Sequence, residues 1–468
     1  MATRRGFLAG GSAAILAGAA PSISRAHDEA DVIVIGAGLA GLAAASVLEK
    51  AGAKVVLLEA RSRVGGRLHT LDDLPGQPEA GGIQVGPGYD ILRRYAAELG
   101  IGLPEGSGEG AGLRDNPGNA YWINGHLASS ADWPGSMGNI LPESEHGTEP
   151  AALAGLYGRA LPRLQSPDAW LGAPPELDIS YEAALRAAGA SEEALRLIEA
   201  NFNGNTLAGI SQLGIARAIA IFRSQPGTTA TIAGGSQRLP EAMAASLRSD
   251  VRLGAPMSAI RKDAGGVAVM LASGSKLRAR QVICTIPFAA LRHIPIESAL
   301  TPPVGRMVAE LPYTRASFAY ISARRAFWQE DGLPPTLWTD DPLVGRVFVL
   351  GDDPAMFKLW TTGAGADMLD RLQPEEASQR IIASIEAARP SARGLLKVER
   401  FFSWQEQPES RGIYHHIGTG MARDLSAAAQ WKGRNLHFAG EHLGQASSGM
   451  EAALESGERA ARQAAERL

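Results

Sequence analysis

The segment Asp31-Val32-Ile33-Val34-Ile35, followed at once by Gly36-Ala37-Gly38-Leu39-Ala40-Gly41 and an Ala/Leu-rich run to about Lys50, constrains the fold more than any other. Four consecutive β-branched residues read as a strand buried on both faces, the setting of a parallel sheet. Gly36 then allows a tight turn, Gly38 lets the backbone approach a pyrophosphate, and Gly41 lets the following helix pack closely on the strand. The unsatisfied N–H groups at that helix N-terminus face the phosphates. A second strand, Lys54-Val55-Val56-Leu57-Leu58, leads to Glu59, about 20 residues beyond the glycines, where a carboxylate can accept both ribose hydroxyls. An acidic residue there favours an unphosphorylated adenosine ribose, hence FAD or NAD over NADP.

The chain has 468 residues, enough for two or three domains around a sizeable core. A formal charge of −4 gives no bulk electrostatic case for nucleic-acid binding, and none is expected. One cysteine, Cys284, excludes an intrachain disulfide framework and a cysteine-clustered metal site, so no metal is expected. The first 26 residues read as an address: Thr3-Arg4-Arg5-Gly6-Phe7-Leu8, a small apolar run to Ala20, then Ser24-Arg25-Ala26 as a cleavage candidate. This is the pattern of a twin-arginine signal peptide over 1–26, whose apolar run is too short and too Gly/Ala-rich to span a bilayer comfortably. The expectation is export in the folded state by the twin-arginine translocase and a mature chain soluble in the periplasm.

Beyond Glu59 the chain continues Ala60-Arg61-Ser62-Arg63-Val64-Gly65-Gly66-Arg67. Here it resembles the flavin-containing amine oxidase superfamily, which includes monoamine oxidases, polyamine oxidases and L-amino-acid oxidases. Two glycines admit the diphosphate of an extended FAD, and the Arg67 guanidinium can neutralise it. The resemblance extends through Glu79-Ala80-Gly81-Gly82-Ile83-Gln84, Pro256-Met257-Ser258, Gln281 to Pro287, Trp404 to Tyr414, Leu436 to His442 and Ser448-Gly449-Met450-Glu451. It implies an α/β fold: a Rossmann-like FAD-binding domain of the GR2 type at 30–102, 228–300 and 401–468, with an inserted α+β substrate-binding domain at 103–227 and 301–400. The cofactor contacts it implies begin with Gly36, Gly38, Gly41, Glu59, Arg61, Gly66 and Arg67. Gly82 and Ile83 would lie beneath the isoalloxazine ring, Met257 beside the adenine, and Trp404, Gly440, Glu441 and Met450 along the rest of the flavin. Cys284 reads as a buried strand residue.

The same resemblance implies the chemistry: a hydride equivalent leaves the carbon next to the substrate nitrogen, and the imine hydrolyses. Tyr414 falls on one wall of the family's aromatic cage, and the other wall falls on Gly449. Ile413 stands where monoamine oxidases carry the cysteine that bonds the flavin, so non-covalent FAD is expected. The family's lysine near flavin N5 falls on Phe318, with no Lys between 276 and 358. That leaves oxygen or a periplasmic cytochrome or quinone as electron acceptor, oxidase and dehydrogenase standing even. Gln84 occupies the place of the carboxylate-clamping arginine of L-amino-acid oxidases, which favours an amine lacking an α-carboxylate. An amino acid is the alternative, should Arg324, Arg325 or Arg411 take over, although each reads first as a surface charge. His415 and His416 are candidates to line the cavity. A flavin desaturase or isomerase acting on an apolar substrate, and a non-catalytic FAD-binding protein, remain as further readings. A homodimer is left open.

Overall fold

The computed structural model describes residues 29–106, 118–263 and 266–468. The expected signal segment therefore lies outside the described residues. Among the described residues no helix is long and apolar enough to cross a membrane.

Fourteen strands among these residues form two sheets. The first joins β1 (Glu29–Ile35), β2 (Val55–Leu58), β5 (Asp250–Arg252), β6 (Met257–Asp263), β7 (Gly266–Leu271), β8 (Lys276–Cys284) and β14 (Leu436–Phe438) in the order β5-β2-β1-β8-β7-β6. Strands β5, β2, β1 and β8 run parallel, while β6, β7 and β8 form an antiparallel meander. The free edge of β8 is shared: its first half pairs with β7, and Val282 to Cys284 pair with β14. Val32 and Val34 pack under the helices Leu39–Lys50 and Gly449–Ala465, whereas Ile33 and Ile35 face a second apolar cluster with Val282 and Phe438. Burial on both faces is what the unbroken β-branched run requires.

The second sheet has the order β13-β9-β12-β11-β10-β3-β4, with β3 (Ala120–Ile123), β4 (His126–Ser129), β9 (Ala316–Ala323), β10 (Leu337–Thr339), β11 (Arg346–Asp352), β12 (Ala355–Thr362) and β13 (Leu396–Ser403). Both excursions out of the first domain thus feed one sheet, through a parallel β3–β10 pairing. Strand β13 carries this sheet to Ser403, past the seam expected at 400–401, because its residues pair with β9 and not with the first sheet. One face is apolar: Ile321, Val347, Phe357 and Leu359 pack against Ile381 and Ile385 of the helix Pro374–Ala388. Residues 181–200 form two helices, Tyr181–Ala187 and Glu192–Ala200, each opened by a serine whose side chain accepts a backbone N–H. Gly189, at φ +92°, supplies the left-handed turn between them.

Candidate active site

A single cavity of about 1470 Å³ runs from the glycine turn to the second sheet. That exceeds the 300–1,000 Å³ or so usual for one small ligand and suits a dinucleotide plus a substrate. At the nucleotide end the backbone is held by close approach. A Cβ on Gly41 would sit 1.8 Å from the Gly36 carbonyl oxygen, so only glycine lets the helix Leu39–Lys50 rest on the turn. Gly38, by contrast, has room for a Cβ, which would meet the Gly66 Cα at an ordinary van der Waals distance of 3.9 Å. Both glycines line the cavity, and without side chains they leave their backbone open to a diphosphate lying along it. Glu59 Oε2 accepts the Ala37 N–H and Oε1 the Arg61 N–H, each at 2.8 Å. A carboxylate offers about four lone-pair sites, so two remain for ribose hydroxyls.

The middle of the cavity is a charge network. Glu441 accepts Arg67 Nη1 at 2.7 Å and the His415 backbone N–H at 3.0 Å through Oε1, and its Oε2 lies 2.5 Å from His415 Nδ1. Burial alone would raise the Glu441 pKa, but His415 and Arg67 outweigh it and hold the carboxyl well below the usual range. Arg67 also donates to the Ile413 carbonyl at 3.0 Å. Its charge is therefore already met by Glu441, a difference from the expectation that Arg67 stands ready to neutralise a diphosphate. Arg61 likewise pairs with Glu409 at 3.2 Å and donates to Ser410. What this region offers an anion is backbone N–H groups and a helix N-terminus more than free cations.

The far end is built by the second face of the second sheet. Side chains on a strand alternate, so Arg346 and Phe348 of β11 project to one side, as do Lys358 and Trp360 of β12. The register pairs Arg346 with Trp360 and Phe348 with Lys358, and all four line the cavity. Lys358 is buried, and its Nζ donates to the Glu79 carbonyl at 2.6 Å and lies 4.6 Å from the Phe318 ring centre and 5.3 Å from that of Trp360. The Tyr414 hydroxyl donates to the Asn203 carbonyl at 3.2 Å, and burial pushes its pKa up to about 12. His416, which also lines the cavity, is held neutral because burial, aided by His415, lowers its pKa to about 4.

Of the residues expected from sequence, Gly36, Gly38, Glu59, Arg61, Gly66, Arg67, Gly82, Ile83, Gln84 and Met257 line this cavity. Tyr414, His415, His416, Gly440, Glu441, Gly449 and Met450 do so as well. Three expected residues do not. Gly41 is spent on helix packing. Trp404 is fully buried behind the wall, its Nε1 donating to the Ala80 carbonyl at 2.5 Å and so fixing the Ala80-Gly81-Gly82 segment. Phe318 is also fully buried, in the cluster with Trp404 and Tyr320, and is a floor under Lys358 and Trp360. The ammonium that the sequence lacks at 318 arrives from the neighbouring strand as Lys358. Gly449 has no side chain for two physical reasons: its φ is +58°, and a Cβ would lie 2.9 Å from the Tyr89 hydroxyl. Arg324 and Arg325 are exposed and Arg325 pairs with Glu330, so neither reaches the cavity, whereas Arg411 lies on its lining. The guanidinium that sequence reasoning missed is Arg346. Its signal was a charged residue alternating with apolar ones on an interior strand. Cys284 is buried in β8, off the cavity lining, and burial pushes its thiol up to about 12.

Residues 39–465 match the family described as flavin containing amine oxidoreductase. The chain belongs to that family. An L-amino-acid oxidase of Mus musculus is 26% identical over 471 residues, spanning 94% of this chain and 71% of that one. The cyclohexylamine oxidase from Brevibacterium oxydans superposes with a TM-score of 0.75 at 25% identity, over 93% of this chain and 99% of that one. Wild-type putrescine oxidase bound to putrescine superposes with a TM-score of 0.71 at 23% identity, over 93% of this chain and 98% of that one, which speaks to the fold. The protein is thus an FAD-dependent amine-oxidising enzyme of α/β fold, with a Rossmann-like cofactor domain and a separate substrate sheet. Bound FAD supplies the two-electron oxidation. The residues that would hold it are those of the glycine turn, Glu59, Gly66 and Gly82, all on the cavity lining or packed beneath it.

Proposed function

We propose that the enzyme converts a small amine to its imine at the end of the cavity walled by Tyr414, Trp360 and Phe348. The C–H bond next to nitrogen and one N–H bond are lost with two electrons and two protons. Water then adds to the imine and ammonia, or a smaller amine, leaves, giving a carbonyl product. The observation that carries this reading is continuity: the same cavity holds the nucleotide-end glycines and, at its far end, aromatic side chains with a neutral His416. Tyr414 orients the amine by its face and is itself held by the Asn203 carbonyl. Glu441 is committed to Arg67 and His415, which keeps a permanently ionised carboxylate from trapping the substrate ammonium there. Electrons pass to oxygen or to a periplasmic cytochrome or quinone. Lys358 supports the oxygen branch, because a buried cation on the cavity wall stabilises negative charge developing on reduced oxygen. The N-terminal address supports periplasmic residence after twin-arginine export.

The test is anaerobic bleaching of the flavin by a panel of primary amines, secondary amines, diamines and L-amino acids, followed by admission of air. Bleaching by a member of the panel supports amine oxidation, and the rate of recovery in air separates oxidase from dehydrogenase. A protein that retains FAD yet is bleached by none of them, or only by an apolar compound without nitrogen, overturns the reading.

A further inference from the structure

Arg346 lines the far end of the cavity, and no carboxylate on the lining pairs with it. It projects from β11 on the cavity face, opposite Trp360 in the register, with the rings of Trp338 and Phe348 at 5.3 and 5.5 Å from its guanidinium carbon. The Asn203 side-chain oxygen accepts from its Nη2, and the Asn203 carbonyl accepts from the Tyr414 hydroxyl, so one residue ties the guanidinium to the tyrosine. Four carboxylates line the cavity, and each has other partners. Glu59 holds the glycine turn, Glu409 pairs with Arg61, Glu441 with Arg67 and His415, and Asp352 accepts from Trp328 Nε1 and Gln329 Nε2. Among the described residues no carboxylate forms an ion pair with Arg346. Arg346 is half-buried, and the burial it has lowers its pKa to about 10, a cost that an anion in the cavity would offset. One neutral carboxamide oxygen uses one of its five N–H donors.

We infer that Arg346 is the anchor for a carboxylate on the substrate, so that the amine oxidised here is an amino acid held by a two-pronged guanidinium contact beside Tyr414. This rests on the amine-oxidation reading and names its substrate class. It also reverses the preference that Gln84 suggested: the carboxylate clamp comes from the substrate sheet and not from the segment after the paired glycines. A diamine is disfavoured by the same geometry, because its distal ammonium would meet Arg346 and Lys358, while Asp352 is already engaged.

The experiment uses the FAD-loaded enzyme and two readouts. The first is perturbation of the flavin absorbance by benzoate and 4-methylpentanoate against benzamide and 4-methylpentanamide, which needs neither turnover nor a variant. The carboxylates are expected to bind about 10- to 100-fold more tightly than their amides. The second is anaerobic flavin reduction by L-leucine and L-phenylalanine against 3-methylbutylamine and phenethylamine, in the wild type and in Arg346→Met and Arg346→Lys. Arg346→Met should erase the carboxylate preference in both readouts and leave the FAD content unchanged, with Arg346→Lys between the two. Equal binding of acid and amide by the wild type, or an undiminished preference in FAD-loaded Arg346→Met, overturns the assignment. Reduction by none of the four nitrogen compounds, with an Arg346-dependent carboxylate effect on the flavin, would instead sink amine oxidation while keeping the anchor.

Discussion

Three buried histidines make the folded enzyme sensitive to mild acid, and the size of the effect can be worked out. His416, His437 and His442 are each at most 7% exposed. Burial lowers their pKa values from 6.5 to about 4, 4 and 3, in His442 even against the pull of the neighbouring Glu441. A folded-state pKa below the unfolded one means that the unfolded chain binds more protons, so stability is full above pH 6.5 and falls as pH drops toward the folded values. At about pH 5.5 the unfolded histidine is roughly nine-tenths protonated and the folded one almost not at all, which gives about 1.2 kcal/mol per pH unit for each residue. All three together give about 3.6 kcal/mol per pH unit, or about 5 kcal/mol lost between pH 6.5 and about pH 5. That is a large part of the 5–15 kcal/mol or so typical of a folded domain. Glu199 and Glu451, whose pKa values burial raises, oppose the trend. Urea unfolding of the FAD-loaded enzyme across this range measures the slope. His437→Leu lies in β14, off the cavity lining, and should lower it by about 1.2 kcal/mol per pH unit. A wild-type slope under about 1 kcal/mol per pH unit would refute the reasoning, because the histidines would then be protonated in the fold.

Gly41→Ala places a Cβ 1.8 Å from the Gly36 oxygen, so the helix must lift from the turn, and the purified protein should carry less than about a tenth of the wild-type flavin. The visible flavin absorbance per polypeptide checks this. Tyr414→Ala removes a cavity wall away from the nucleotide end and should slow substrate-driven flavin reduction about 10- to 100-fold with FAD still bound. A stopped-flow rate equal to wild type would take Tyr414 out of the site. Lys358→Met deletes the buried ammonium and should slow reoxidation of the reduced enzyme by air about tenfold or more, without loss of flavin. Unchanged reoxidation would show that the charge serves local structure and not the reaction with oxygen.

The cofactor half was legible in the chain because its determinants are local. A β-branched run, glycines at fixed spacing and one acid at the end of the next strand are all within about 30 residues, the span of one βαβ unit. The turn, the helix Leu39–Lys50 and the Glu59 contacts follow from that spacing alone. The substrate half depends on pairing between strands far apart in sequence. Phe318 and Lys358 are 40 positions apart, yet the β9–β12 register sets Lys358 opposite Tyr320, two residues along from Phe318, so a cation is present where single-position reading finds a phenylalanine. Arg346 reads in the chain as one more arginine among many, and only closure of the second sheet over the cofactor domain turns its strand face inward and leaves it, among the described residues, without a carboxylate ion pair. Local backbone geometry can be written into a short motif. The meeting of side chains across a cavity is set by register and domain packing, and it appears only when the chain has folded.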